Sequence, residues 1–412
     1  MTAAAGSFPP EFVPTAPEGS IAPPSAATPN VAKTYWGQVF AHVLRSGRAR
    51  AGLTWIAFLL AAALLAPVLA NTQPLLLKTG GEWSSPALRF ISAPDVACFA
   101  LLLSGAIAAF FRRTSLARRA IVVFAFTLLV ATLAVIFVHP PETVDWQHFR
   151  DLQRAGKVQF QLAAPLPFSP NDYQRDDPDA RLQPPSWAHP LGTETNGADV
   201  LSRMIHASRI ALSIGLISTG ISVVIGVAIG GSMGYFAGTL DILGMRLIEV
   251  FEAIPTLFLL ITFVAFFCRN LYIMMAIIGF TGWTDEARFI RAEFLRLRNQ
   301  DFVLAAIAAG LPLRSVLFRH LLPNGISPIL VTSSFGIASA ILYESTLSFL
   351  GLGLIEQPSW GQLLNQALDV GGTFTWWIAL FPGLAIFLTV FSYNLIGEAL
   401  RDALDPKIRK QE

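Results

Sequence analysis

Arg112-Arg113-Thr114-Ser115-Leu116-Ala117-Arg118-Arg119 is a short stretch carrying four arginines, set between two runs almost free of charge. The flanking runs, about 95–111 and 119–138, each approach the roughly 20 apolar residues that a helix needs to cross a bilayer core. Arginine concentrates in short cytoplasmic loops of membrane proteins, so this loop is placed in the cytoplasm. A helical hairpin of a soluble protein could carry such a loop too. Two uncharged flanks make that the weaker reading.

The rest of the chain agrees. Of 412 residues, 53% are hydrophobic and 14% charged, with a mean hydropathy of +0.55. A soluble domain carries roughly a quarter charged residues, so most of this chain sits where charge is not solvated. The net charge of +2 gives nucleic acid nothing to bind. Thirty-one Phe and nine Trp suit lipid and its interfaces.

Residues 1–32 are rich in Pro, Ala, Ser and Thr, lack the apolar run of a secretory signal, and read as a disordered tail. A basic stretch with Lys33, Arg45, Arg48 and Arg50 then precedes the first span, about 51–70. Residues 33–138 thus hold that span plus the arginine-marked hairpin. The longest polar segment, 139–206, falls outside the cytoplasm on counting spans. Further spans lie at about 210–235, 247–267, 271–283, 326–349 and 376–394. A basic cytoplasmic segment, 285–324, separates the third of these from the fourth, and a cytoplasmic tail, 403–412, ends the chain. Eight spans with both termini cytoplasmic satisfy every basic cluster. The expected fold is all-α and integral to the membrane.

Catalytic chemistry is missing from the sequence. A phosphate-cradling loop needs GxxxxGK[ST], and the nearest stretch, Gly156-Lys157-Val158, lacks the first Gly and the hydroxyl. No HExxH, GxSxG or Cys/His cluster occurs, so no catalytic residue, metal site or cofactor is expected. Cys98 and Cys268 fall near the outer ends of their spans without CxxC spacing; a bridge between them in an oxidising compartment is conceivable. An ion-coupled secondary transporter would show buried charge pairs and internal repeats. The residues suggest neither. The acids in or beside spans are Glu249, Glu252 and Glu344, and Pro255 follows Glu252 closely. Glu252, Pro255 and Glu344 are therefore the candidate pathway residues.

The segment from Asp301 to Asn324 reads as an Ala-rich helix closed at Gly310, a turn at Pro312, and a second helix ended by Pro323. The second helix should align Leu313, Val316, Leu317 and His320 on one face. By itself this is an amphipathic cytoplasmic linker. It also resembles the "EAA" loop of ABC-importer permeases, with Ala305, Ala306, Gly310, Leu322 and Pro323 on the family's positions. Leu304 stands where that motif carries Glu, and Pro312 is an unusual neighbour for the Gly.

Three further stretches resemble the second, C-type permease of bacterial dipeptide, oligopeptide and nickel importers. One is His189-Pro190-Leu191-Gly192-Thr193-Glu194-Thr195-Asn196-Gly197-Ala198-Asp199, continuing to Arg203, with Ala198 where Arg is usual. The next is Glu344 to Gly353 followed by Pro358-Ser359-Trp360-Gly361. The last runs from Pro382-Gly383 to Asp405-Pro406. Ala70 to Lys78 with Gly81-Glu82-Trp83 is similar to the microcin C/oligopeptide branch.

The resemblance implies a type I importer permease fold over 207–402, a six-span plan to which the hairpin is an addition. It implies a subunit that moves peptides or peptide-like solutes without hydrolysing ATP. The partners implied are a homologous permease, ABC ATPase subunits, a periplasmic or lipoprotein substrate-binding protein, and membrane lipid. Asp301, Ala305, Ala306, Gly310, His320, Leu322 and Pro323 would form the ATPase-coupling loop. The location implied is a bacterial inner membrane. A nickel or other solute permease and an ion-coupled transporter are the alternatives.

Overall fold

A computed structural model describes residues 35–110, 116–141, 144–174, 177–267, 269–354, 357–368 and 374–404. The expected tail at 1–32, Arg112 and Arg113, Cys268, and the end of the chain from 405 lie outside them.

The chain enters through α1 (Tyr35–Arg45) and the first apolar helix, α2 (Gly47–Leu69). It then forms two strands, β1 (Leu76–Thr79) and β2 (Glu82–Ser84), and a short α3 (Pro86–Arg89). The hairpin follows as α4 (Ala93–Phe110) and α5 (Leu116–Phe137). After α6 (His148–Arg154), β3 (Val158–Leu162) returns to β1. The resulting sheet, ordered β2-β1-β3, is antiparallel throughout. Its strands come from both sides of the hairpin, so pairing across about 80 residues of chain builds a layer of β-structure at one end of the helices. Val158-Gln159-Phe160-Gln161-Leu162 alternates apolar and polar residues as a strand does, but its pairing with β1 is set only in the fold.

α7 (Val200–Phe236) is the long central helix. It starts at Val200, inside the stretch expected as a loop to 206, because Asp199 caps it: the Asp199 carboxylate accepts from the Ser202 N–H at 2.8 Å. α8 (Gly238–Glu252) and α9 (Thr256–Phe266) follow, then α10 (Leu271–Thr281) and α11 (Trp283–Leu297). The expected span at 247–267 is not one helix. α8 and α9 meet at 78° across Ala253-Ile254-Pro255. Pro255 has no N–H to donate and its ring disfavours helical backbone at Ile254. The Pro therefore separates two helices rather than kinking one.

The chain continues through α12 (Asp301–Ala308) and α13 (Leu313–Ser315) to a π-helical turn, Val316–Leu321. α14 (Leu322–Phe349), α15 (Trp360–Gln366) and α16 (Trp376–Leu404) complete the fold. Six described helices are long and apolar enough to cross a membrane, seven with the bent pair counted as one span, and α10 is a shorter apolar helix. The span expectation is met approximately, with the fifth broken.

α2, α7, α14 and α16 share one core through Leu59, Ala211, Ile341, Ala385 and Tyr393. α9 and α10 pack on the other side of α7 and α14 through Leu260, Met274 and Ile278. α11 lies along α7 on a row of Gly226, Gly230 and Gly234, and a Cβ at Gly230 would collide with the Ala287 carbonyl oxygen. Small residues at four-residue spacing let two helix backbones meet in this way.

The α4–α5 hairpin is tied to α7 by charge. Asp95, at the start of α4, is buried and ion-paired with Arg209, whose Nη2 lies 3.6 Å from Cys98 Sγ. A second buried pair, Glu194–Arg203 at 3.2 Å, sits under the sheet end. These pairs correct the expectation that buried charge pairs are lacking; Asp95 and Arg209 lie 114 residues apart, and Glu194 and Arg203, though nine apart, sit in a stretch that reads as a polar loop. Removing one partner of a buried pair costs roughly 3 kcal/mol or more, since it strands the other charge. Arg209→Met is accordingly expected to loosen the hairpin and raise maleimide labelling of Cys98 at least about tenfold, with Asp95→Asn added to it restoring slow labelling. Peptide mapping of the labelled protein reads this directly; unchanged labelling in Arg209→Met would remove the tether.

Candidate functional site

The 301–323 segment begins at α12, whose first turn carries Asp301, an acid where the helix dipole favours one. Val303 and Ala306 are buried, Val303 in a core with Ile290, Phe294, Val316 and Leu321. The helix closes with a Schellman motif. The Leu311 N–H donates to the Ala306 carbonyl at 3.2 Å and the Gly310 N–H to Ile307 at 2.9 Å, with Gly310 at φ +73°.

Beyond Pro312 the structure departs from the expected amphipathic α-helix. In a π-helical turn residues five apart fall on one face, so Val316 and Leu321 are the buried pair, while Leu313 is exposed and Leu317 and His320 are half-buried. Pro323 does not end this helix. It sits in the first turn of α14, where a missing N–H costs nothing.

What faces outward is apolar. Phe302, Leu304, Ile307, Leu311, Leu313 and Phe318 are all exposed, and Ala305 lies among them with no bulk of its own. Leu304, in the place of the motif's Glu, is 49% exposed. The arginines of α11 are used internally: Arg288 pairs with Glu252, Arg291 with Asp241 at 2.7 Å, and Arg298, just past the helix end, donates to the Tyr235 carbonyl. Arg314 and Arg319 are exposed.

A cavity of about 1020 Å³ opens between α7, α10, α11, α14 and α16. Its lining mixes apolar side chains with polar ones, among them Ser218, Thr219 and Ser222 from α7, Glu286 and Thr332. None of the three candidate pathway residues lines it. Glu252 is held by Arg288, and Pro255 marks the break before α9. Glu344 is buried under the fold-over of α15, accepting from Ser348 Oγ at 2.7 Å, and Gly361 packs against the Ser345 carbonyl there. Glu286 escapes notice in the sequence because the arginines around it make the segment read as a solvated cytoplasmic stretch. The usable signal is the apolar stripe Trp283, Ala287, Ile290, Phe294 and Leu297 at helical spacing, which marks α11 as packed.

At the sheet end the 189–203 stretch folds into turns that seat α7. His189 Nδ1 lies 2.8 Å from Asp199, and Trp377 Nε1 donates to the Thr193 carbonyl. Burial pushes the Glu194 carboxyl above the ordinary carboxylate range, with the Arg203 guanidinium pulling it back.

Residues 226–410 match the family model described as "Binding-protein-dependent transport system inner membrane component". The oligopeptide transport system permease protein OppC of Haemophilus influenzae is 40% identical over 225 residues, covering 54% of this chain and 71% of that one. The dipeptide transport system permease protein DppC of Bacillus subtilis is 37% identical, covering 61% and 79%. The inner membrane ABC transporter permease protein YejE of Escherichia coli is 33% identical over 344 residues, covering 83% and 89%. An alignment of that extent reaches back past the hairpin into the sequence before α4. With a relative at 40% identity matched over most of its length, the chain belongs to the multi-pass inner-membrane permeases of binding-protein-dependent ABC importers.

Proposed function

We propose that this chain forms half of the translocation pathway of an ATP-driven importer for peptides or peptide-like solutes. Its relatives carry oligopeptide and dipeptide names, and the cavity, with polar groups set among apolar ones, is large enough for such a solute, ligand pockets running roughly 300–1,000 Å³. The basic end of the bundle lies in the cytoplasm, with both termini, and the sheet end lies outside. There the segments around 139–205 and 350–374 meet the substrate-binding protein. A homologous permease completes the passage. Residues 207–402 carry the transport plan, and the hairpin is an addition beside it. ATP is hydrolysed by partner subunits.

The observation that carries the coupling reading is the apolar patch on the 301–318 segment. Six large apolar side chains exposed on the cytoplasmic side are a surface awaiting a protein. α12 is held rigidly behind by Val303 and Ala306, so a movement of the ATPase against the patch passes into α14. Leu304 supplies an apolar anchor where related loops offer a carboxylate. Affinity-purified permease is expected to bring down its ATPase subunits, and Leu304→Asp with Ile307→Asp to cut the recovered ATPase by about tenfold or more, as the loss of central interface anchors does. Equal recovery from a variant that still inserts in the membrane would overturn the docking surface.

A further inference from the structure

The cavity contains a polar arrangement that the transport plan alone does not explain. Glu286 is buried and its Oε2 is taken by the Thr332 hydroxyl. Its Oε1 accepts no hydrogen bond from any described residue. Across the cavity on α7, the Thr219 and Ser218 hydroxyls are buried to 5% and 0% exposure, and neither has a hydrogen-bond partner. Helical Ser and Thr ordinarily bond back to the preceding turn. Two adjacent hydroxyls left without partners in a nonpolar setting cost free energy unless a ligand satisfies them.

Thr219 Oγ1 and Glu286 Oε1 both approach the same glycine of α14, Gly336, while Ser218 lines the cavity beside them. The position a Cβ would take at Gly336 lies 3.5 Å from Thr219 Oγ1 and 3.8 Å from Glu286 Oε1. Thr219 Cγ2 would stand only 3.1 Å from that Cβ, so the missing side chain of Gly336 is what lets Thr219 and Glu286 come this close to α14. Asp285 also lines the cavity. Among the cations there, Arg296 is engaged by Glu293, and Arg401 stands on the last turn of α16 without an ion pair to Glu286. An acid in the first turn of α11 suits the helix dipole, which accounts for Glu286 being tolerated there but not for the open hydroxyls opposite.

We propose that Glu286 and Thr219, with Ser218 alongside, form a subsite for a primary ammonium group, the α-amino group of a peptide in transit. One carboxylate oxygen and two hydroxyl oxygens are acceptors for the three N–H donors of an ammonium, and the carboxylate matches its charge. A carboxylate ligand would meet Glu286 with like charge. This subsite rests on the reading of the cavity as part of a peptide pathway.

The test is equilibrium binding of trialanine and N-acetyl-trialanine to the purified permease–ATPase complex in nanodiscs, without the binding protein. Wild type is expected to hold trialanine about tenfold tighter than the acetylated peptide, the scale of a hydrogen bond to a charged group. Glu286→Gln should lose about that factor for trialanine and leave the acetylated peptide within about twofold, while Glu286→Asp keeps part of the preference. Thr219→Val, which keeps the shape and removes the hydroxyl, should lower the preference in the same direction and stands in if Glu286→Gln does not assemble. Equal affinity for the two peptides in wild type, or a preference unchanged in both variants, overturns the subsite. Uptake of trialanine by proteoliposomes supplied with the binding protein separates the two failures. A wild-type complex that imports the peptide without preferring the amine in binding sinks the subsite alone, and one that imports none sinks the peptide pathway with it.

Discussion

Gly310→Pro should reduce solute uptake by roughly two orders of magnitude, on the ~3 kcal/mol that a proline costs where it both clashes and removes a used N–H. Both penalties apply at this position. Gly310 sits at φ +73°, while proline is confined near −65°, and the Gly310 N–H closes the end of α12 on the Ile307 carbonyl. Losing that closure unwinds the last turn of α12, misplacing Ile307 and Leu311 in the exposed patch. Nothing stands within 4 Å of a Cβ at Gly310, so bulk is not the issue there. Gly310→Asn, whose side chain tolerates left-handed backbone, should therefore keep most of the uptake. The measurement is transport by membrane vesicles at matched permease levels. Normal uptake by the proline variant would sever α12 from energy coupling.

The second large effect falls on the bundle itself. Gly230→Ala should destabilise the folded permease by about 3 kcal/mol, the upper range for overpacking a close contact. The new methyl would meet the carbonyl oxygen and Cα of Ala287, which are backbone and cannot swing aside. α7 and α11 must separate, carrying Glu286 with them, so the cavity suffers as well as the fold. Gly220, on the same helix, has nothing within 4 Å of a Cβ. Gly220→Ala should be neutral or slightly stabilising, since Gly within a helix costs roughly 0.5–1 kcal/mol relative to Ala. Heating detergent-solubilised protein and following the monodisperse fraction by size exclusion compares the pair. Similar midpoints for both variants would mean that the α7–α11 contact is not held at backbone distance.

Much of the 301–323 segment is legible in the amino-acid sequence. Gly310 and Pro312 punctuate it through backbone rules that hold in any context. The face of the second helix is not legible, because a π-helical turn shifts the period from 3.6 residues and buries Leu321 in place of His320 and Leu313. Pro323 misleads for a related reason: a proline near a helix end is equally at home in the first turn of the next helix. The pathway candidates lie away from the cavity for a different cause. Glu252 and Glu344 stand out as acids near apolar runs, yet each has a partner, Arg288 on another helix and Ser348 one turn on. Glu286 is hidden among its arginines, although those arginines turn away to Asp241, Glu252 and Glu293.

The sequence by itself determined which stretches are apolar enough to cross a bilayer, except at Pro255, where the expected span is two helices. Transfer into lipid depends on the composition of one helix at a time, so no partner had to be known. Tertiary structure decided what is shared between segments: the sheet joining 76–84 to 158–162, the Asp95–Arg209 tether of the hairpin, and the meeting of Thr219 with Glu286 beside Gly336. Each joins residues tens to more than a hundred positions apart. Their pairing is set by which helix faces can approach closely, a property of packed surfaces that no single stretch of chain carries.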